Sequence, residues 1–160
     1  MTRSAAENPT TLQKALAVRL GEDLHAIPIA AIEEILPALP IESIPQTPAF
    51  VRGVISVRGH LIPVLDAAER LGLEDHHRPD EPHIVCVRVG DRLVGLEVDE
   101  ALDLIDVGQQ AVVLAEEMGN SAGFFAGVVQ VEDKVIRILD PQRVLDPDET
   151  AKLLQVSRTG

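Results

Sequence analysis

The residues best suited to chemistry in this sequence are histidines and carboxylates gathered in one polar stretch. His76, His77 and His83 stand with Asp75, Asp80 and Glu81 in and beside the segment EDHHRPDEP, residues 74–82. Imidazole and carboxylate are both zinc ligands, but zinc needs three or four of them converging at about 2 Å. Adjacent side chains on an extended chain point in opposite directions. The spacing therefore opposes a metal centre and predicts a solvated linker. The paired carboxylates Glu33-Glu34 and Asp99-Glu100 have the makings of an acid and a base. In a chain of net charge −12, neighbouring carboxylates read instead as a solvated face. Cys86, the one cysteine, lies within Ile84-Val85-Cys86-Val87 and reads as a small buried hydrophobe. A single cysteine forms no internal disulfide, which fits a reducing compartment. Ser56 lacks the G-x-S-x-G frame of a nucleophile elbow. Gly119, Gly123 and Gly127 recur every fourth residue around Asn120-Ser121-Ala122 and read as loop and tight turns. With no nucleophile–base pair, the expectation is a protein that is not an enzyme, with no cofactor and no metal.

Two arginines remain as candidates for function. If Val51 to Gly59 is a strand, Val51, Gly53, Ile55 and Val57 share one face, while Arg52, Val54, Ser56 and Arg58 share the other. The first set suits a core, and the second places two guanidiniums outward.

The element carrying those arginines occurs twice. FVRGVISVRGHLIPVLDAAERL, from Phe50, resembles FFAGVVQVEDKVIRILDPQRVL, from Phe124, and aligns Gly53 with Gly127, Ile62 with Ile136 and Asp66 with Asp140. Upstream, Val18-Arg19-Leu20-Gly21 resembles Val87-Arg88-Val89-Gly90. The chain is thus a unit of about 60 residues, repeated. In the twin, Arg58 corresponds to Glu132 and Arg52 to Ala126.

Each unit reads as β. Expected strands cover 16–20, 24–29, 32–36, 51–57 and 60–65, with turns between them, which argues for a barrel or sandwich. Four prolines in residues 37–48 predict an extended connection. Asp66 with Glu69 three residues on has capping-box spacing, and Gly72 sits where a C-terminal cap belongs. Asp140-Pro141 opens the matching turn of the second unit. Asp146-Pro147-Asp148-Glu149 predicts a final helix to about Leu154.

Bulk composition narrows the classes. With no Trp, no Tyr and three Phe among 160 residues, the core must be aliphatic, and the rings needed to stack nucleobases are missing. The negative charge repels phosphate backbones, so no nucleic-acid partner is expected. No run approaches 18 apolar residues, so no membrane insertion is expected. The polar first residues lack a signal-peptide core, and a cytoplasmic location follows as an expectation.

The segment Thr47-Pro48-Ala49-Phe50-Val51-Arg52-Gly53-Val54-Ile55-Ser56-Val57-Arg58-Gly59, followed by Leu61-Ile62-Pro63-Val64-Leu65-Asp66, resembles the signature of the CheW family. Ala26-Ile27-Pro28-Ile29, Ile32-Glu33-Glu34-Ile35 and Val94-Gly95-Leu96-Glu97-Val98-Asp99 agree with it. Ser56-Val57-Arg58-Gly59 stands where the family often has Asn-Leu-Arg-Gly. The resemblance implies a mainly β fold of two intertwined five-stranded SH3-like barrels from an internal duplication, with short capping helices and a C-terminal helix. It covers one domain over 12–145, which the repeat and the polar segment divide into 12–73, a linker at 74–82 and 83–145, after a tail over 1–11 whose terminal position predicts disorder. A C-terminal helix and tail would fill 146–160. It implies an adaptor that binds the regulatory domain of a CheA-type histidine kinase and the cytoplasmic tip of chemoreceptors, held at membrane arrays through those partners. Together with the outward face, it gives Arg58, Arg52, Glu34, Ile32, Val54 and Ser56 as candidate partner contacts. A small-molecule-binding β-barrel is the alternative, and it would require a sizeable cavity with convergent polar groups.

Overall fold

Short apolar runs broken by polar turns give eleven strands among the described residues. The structure, a computed structural model, describes residues 13–73, 76–119 and 123–145. The expected tail at 1–11 and the C-terminal helix lie outside the described residues. The strands are β1 (Lys14–Leu20), β2 (Asp23–Pro28), β3 (Ile32–Leu36), β4 (Val51–Val57), β5 (His60–Asp66), β6 (His83–Val89), β7 (Arg92–Val98), β8 (Glu100–Asp106), β9 (Ala111–Leu114), β10 (Phe125–Val131) and β11 (Lys134–Leu139). One short helix, α1 (Ala67–Leu71), follows β5. The Asp66 carboxylate accepts from the Glu69 backbone N–H, and Gly72 closes the helix in the left-handed conformation. Asp140 caps the 3-10 turn Pro141–Arg143 in the matching place.

The sheets do not follow the two halves of the sequence. One runs β8-β1-β2-β11-β10-β9 and the other β3-β6-β7-β5-β4. Each therefore combines strands from both repeats, so the 12–73 and 83–145 division describes the repeat and not the sheets. The exchange is symmetric to the residue. Leu16 pairs with Leu104 and Val18 with Ala101, as Val85 pairs with Ile35 and Val87 with Ile32. The parallel pairs match too: Ile138 with Ala26, and Val64 with Gly95.

Among the described residues neither sheet closes through a backbone ladder, so the expected barrels are open. The two sheets differ at β4, an edge strand. Beside it runs the proline-rich connection, touching it through one bridge in which Glu42 and Val54 exchange both N–H to carbonyl bonds at 2.9 Å. Pro37, Pro40, Pro45 and Pro48 lack the N–H that would extend that bridge into a ladder. In the twin the same place is taken by β9, whose sequence AVVL holds no proline and pairs with β10 over four residues.

Both contacts require glycine. Gly53 and Gly127 have φ of 143° and 155° and sit at register shifts in β4 and β10. A Cβ on Gly53 would lie 2.1 Å from the Glu42 carbonyl oxygen, and one on Gly127 would lie 2.4 Å from that of Val113.

Side chains fill three clusters. The largest lies between the sheets and joins Leu16, Val18 and Ile27 of one to Leu65, Val85 and Leu96 of the other. A smaller one belongs to each sheet: Ala26, Val129, Ile136 and Ile138 in the first, Ile55, Ile62, Val64, Ile84 and Cys86 in the second. Burial pushes the Cys86 thiol up to about 11, which leaves it an inert packing group. His25 is also buried, beside the ring of Phe125. Burial first, and then the Arg137 charge, lower its pKa to about 4, against a smaller opposing effect of Asp23. Its counterpart in the twin is Val94, also buried.

Two measurements test this packing. Gly53→Ala should lose more than about 2 kcal/mol of stability in chemical denaturation, whereas Gly90→Ala, with positive φ but open space, should lose about 1 kcal/mol. The unfolded chain protonates His25 near pH 6.5, but the folded chain does so only near 4. Stability should therefore be full above pH 6.5 and fall by about 3 kcal/mol as pH drops to 4. His25→Val, the twin's residue, should fold and flatten that part of the pH profile; an unchanged slope would remove His25 from it.

Candidate functional site

The six residues picked out by sequence separate into two groups. β4 is seven residues long, so Arg52 and Arg58 stand about 20 Å apart along the chain. Their surroundings differ completely.

At the hairpin end, the turn carries Arg58 with φ of 49°. Its guanidinium forms a two-pronged pair with Glu34 on β3: one Nη donates to Oε2 at 3.1 Å and the other to Oε1. β3 and β4 are the two edges of their sheet, so this pair bridges the seam that the backbone leaves open. The fork of arginine matches a carboxylate in this way. The Arg58 hydrogen bond holds the Glu34 carboxyl below its usual range, and the same bond raises Arg58. The attraction is thus present above the ordinary carboxylate range and is lost as acid protonates Glu34. The Arg58 side chain is 70% exposed, so a partner can reach it. Ser56 is exposed beside it, while Ile32 is half-buried against the central core. The twin positions are Glu132 and Asp103, both acidic, so the second sheet has no such pair to make.

At the other end, the outward reading of Arg52 and Val54 is corrected. Val54 is buried because its N–H and C=O pair with Glu42 of the connection that covers this edge. The bulge at Gly53 also breaks the simple alternation of the strand. Arg52 Nε donates to Glu97 Oε1 at 2.8 Å, and Glu97 is only 3% exposed. Asp66 and Glu97 lie side by side in parallel register on β5 and β7, an arrangement that two carboxylates tolerate only with cations between them. Arg78 provides the second cation, donating from Nε to Glu97 at 2.7 Å and from Nη to Asp66.

Arg78 and Glu97 were not anticipated. The available signal was a lone acid in the apolar run Val94-Gly95-Leu96-Glu97-Val98, which requires a buried partner. The segment expected to be a solvated linker is, from His76 onward, a strap tied to the protein. His76 Nε2 lies 2.6 Å from Asp99 Oδ1, and Asp99 also accepts from Gly21 N–H at 2.9 Å and pairs with Arg19. His83 accepts from Ala101 N–H at 2.8 Å. No cluster of three or more metal-ligating side chains occurs among the described residues. The carboxylate pairs are divided among ion pairs: Glu33 with Arg88, Glu34 with Arg58, Glu100 with Arg19. Among the described residues no helix is long and apolar enough to cross a membrane.

The family model described as "CheW-like domain" matches residues 14–149. The chain is 29% identical over 152 residues to the chemotaxis protein CheW of Rhizobium meliloti, covering 93% of this chain and 97% of that protein. It is 28% identical over 142 residues to the chemotaxis protein CheW of Bacillus subtilis, covering 88% and 91%. The crystal structure of the scaffolding protein TtCheW from Thermoanaerobacter tengcongensis superposes with a TM-score of 0.77 at 26% identity, covering 86% of this chain and 94% of that one.

The strap makes a measurable claim. Arg78→Ala leaves Glu97 and Asp66 facing each other with one cation fewer. Because Arg78 is partly exposed, the loss should be about 1–2 kcal/mol, below that of a fully buried pair. Limited proteolysis within 76–82 should accelerate. His77→Ala, at an exposed position, should change neither readout. Equal behaviour of the two variants would return the strap to the status of a tether.

Proposed function

The chain belongs to the CheW-like domain family, and on that premise we propose that it is a non-enzymatic coupling protein of a chemotaxis system, joining the regulatory domain of a CheA-type histidine kinase to the cytoplasmic tip of chemoreceptors. It works in the cytoplasm, at membrane arrays that it reaches through those partners. The observation that carries this reading is the exposed Arg58–Glu34 pair, present in one sheet and replaced by two acids in the other.

An adaptor needs two unlike surfaces, and duplication followed by divergence supplies them. The twin sheets keep the same skeleton and differ where side chains face solvent. Each also has an edge strand with an exposed apolar residue at the same repeat position, Ile35 on β3 and Leu104 on β8. Exposed apolar groups beside charges are the material of protein interfaces. On this reading Arg58, Glu34, Ser56 and Ile35 form one contact surface, with Ile32 packed behind it. Arg52 and Val54 contribute by holding β4 in place.

The small-molecule reading is weaker. The cleft beside Glu97 measures about 190 Å³, below the roughly 300–1,000 Å³ that drug-sized ligands occupy. It lies against connecting segments and not within a sheet's core.

Binding and melting measured on one preparation decide the role of Arg58. Arg58→Glu should leave the melting temperature within a few degrees of the unaltered chain and weaken binding to a receptor-tip fragment, a CheA-type regulatory domain, or both, at least tenfold. The exchanged pair Arg58→Glu with Glu34→Arg restores the attraction across the seam. If the pair acts by shaping the seam, the exchange recovers affinity; if Arg58 touches the partner, it does not. Unchanged affinity of Arg58→Glu for both partners would refute the proposed surface.

A further inference from the structure

A cleft of about 190 Å³ opens beside the buried carboxylates, between the proline-rich connection and the strap. Leu39, Ile41, Pro79 and Ile84 give it apolar walls. Its polar lining is Glu97 with Arg52, Arg78 and Asp80. Glu97 is 3% exposed. Its Oε1 already accepts from both arginines, at 2.8 and 2.7 Å. Its Oε2 is buried and has no hydrogen-bond partner among the described residues. A buried carboxylate oxygen without a donor is costly, so the cleft combines apolar walls with an unmet demand for N–H.

Charge selects the kind of donor. Arg52 and Arg78 balance Glu97 and Asp66, and Asp80 then adds a further negative charge at the lining. The chain as a whole carries −12. An anion would meet these carboxylates, whereas a cation would complete Glu97 and offset Asp80. The space suits one side chain and not a larger ligand. We propose that this cleft binds an alkylammonium group, a primary amine on a short apolar chain such as a lysine side chain carries, with its methylenes against Leu39, Ile41 and Ile84 and its N–H donated to Glu97.

The test is titration of the whole chain, followed by amide NMR shifts, with n-butylammonium chloride and with Nα-acetyl-lysine N-methylamide. Sodium chloride at equal ionic strength serves as the control. Saturable shifts at the amides of Leu39, Ile41 and Ile84 are expected. n-Butanol, which has the same chain without the charge, should bind at least tenfold more weakly. Leu39→Trp, which fills the cleft, should weaken the amines at least tenfold. Binding of n-butylammonium alone would assign the cleft to free amines; binding of the lysine amide as well would assign it to a partner's side chain. Linear, unsaturated shifts with both amines would mean that the cleft holds only water, and would overturn the proposal. Equal binding of n-butanol would overturn it too, and that comparison uses the unaltered chain, so it stands whether or not Leu39→Trp folds.

Discussion

The backbone pairing of one repeat with the other is the constraint on which this structure rests. β1 bonds to β8 and β6 to β3, so each three-stranded portion is completed by a strand from the opposite repeat. The parallel contacts of β2 with β11 and of β5 with β7 tie each hairpin in the same way. Edge strands left unpaired expose N–H and C=O groups, so a repeat on its own would present several such edges. The central cluster, built from Leu16, Val18 and Ile27 on one side and Leu65, Val85 and Leu96 on the other, would be halved. The two repeats therefore fold as one unit, and every position considered above inherits its place from that exchange.

A shared skeleton lets matched positions be compared as a natural substitution series. Where both twins are buried, chemistry changes while volume stays modest: Cys86 against Ala17, His25 against Val94. Where the backbone itself makes the contact, nothing changes, and Gly53 and Gly127 are both glycine because both face a carbonyl oxygen closer than a Cβ permits. Where side chains reach solvent, charge inverts, with Arg58 against Glu132. The buried cluster is one-sided too: Arg52 and Glu97 stand where the twin has Ala126 and Pro28. Packing and backbone contacts thus hold the two sheets alike, while the polar groups are free to diverge.

That division also explains what could be read in advance. The strands, the duplication, the Asp66 cap and the Gly72 stop follow from local pattern, and the structure keeps each of them. Which strand pairs with which is not a local property. The alternation of β4 carries no record that Glu42, twelve residues upstream, will cover Val54, so Val54 read as outward. Arg52 read as outward because the acid it neutralises sits 45 residues away on β7. Arg58 and Glu34 were both legible as exposed charges on family-like segments, but their meeting across a seam depends on the curl of the whole sheet. The polar segment from His76 looked like solvent-facing chain because its partners lie elsewhere in the chain: Asp66 on β5, Glu97 on β7 and Asp99 in the turn after β7.

The open seam has a consequence for how this protein can be recognised. A partner that adds a strand needs a free ladder of N–H and C=O groups. The outer side of β4 is denied by the Glu42 bridge and by the prolines that run along it, and that of β10 is occupied by β9. β3, β8 and β9 remain as edges; β9 is only four residues long, and the other two carry charge, with Glu33 and Glu34 on β3 and Glu100, Asp103 and Asp106 on β8. Such edges resist indiscriminate strand addition. Recognition then falls to side chains that project from them, Ile35 among the charges of β3 and Leu102 and Leu104 among those of β8, and to the guanidinium of Arg58 that reaches over the seam. Side-chain contacts of this kind can differ between two sheets whose backbones are the same, which backbone pairing cannot do. A duplicated fold with guarded edges is in that sense suited to holding two different proteins at once.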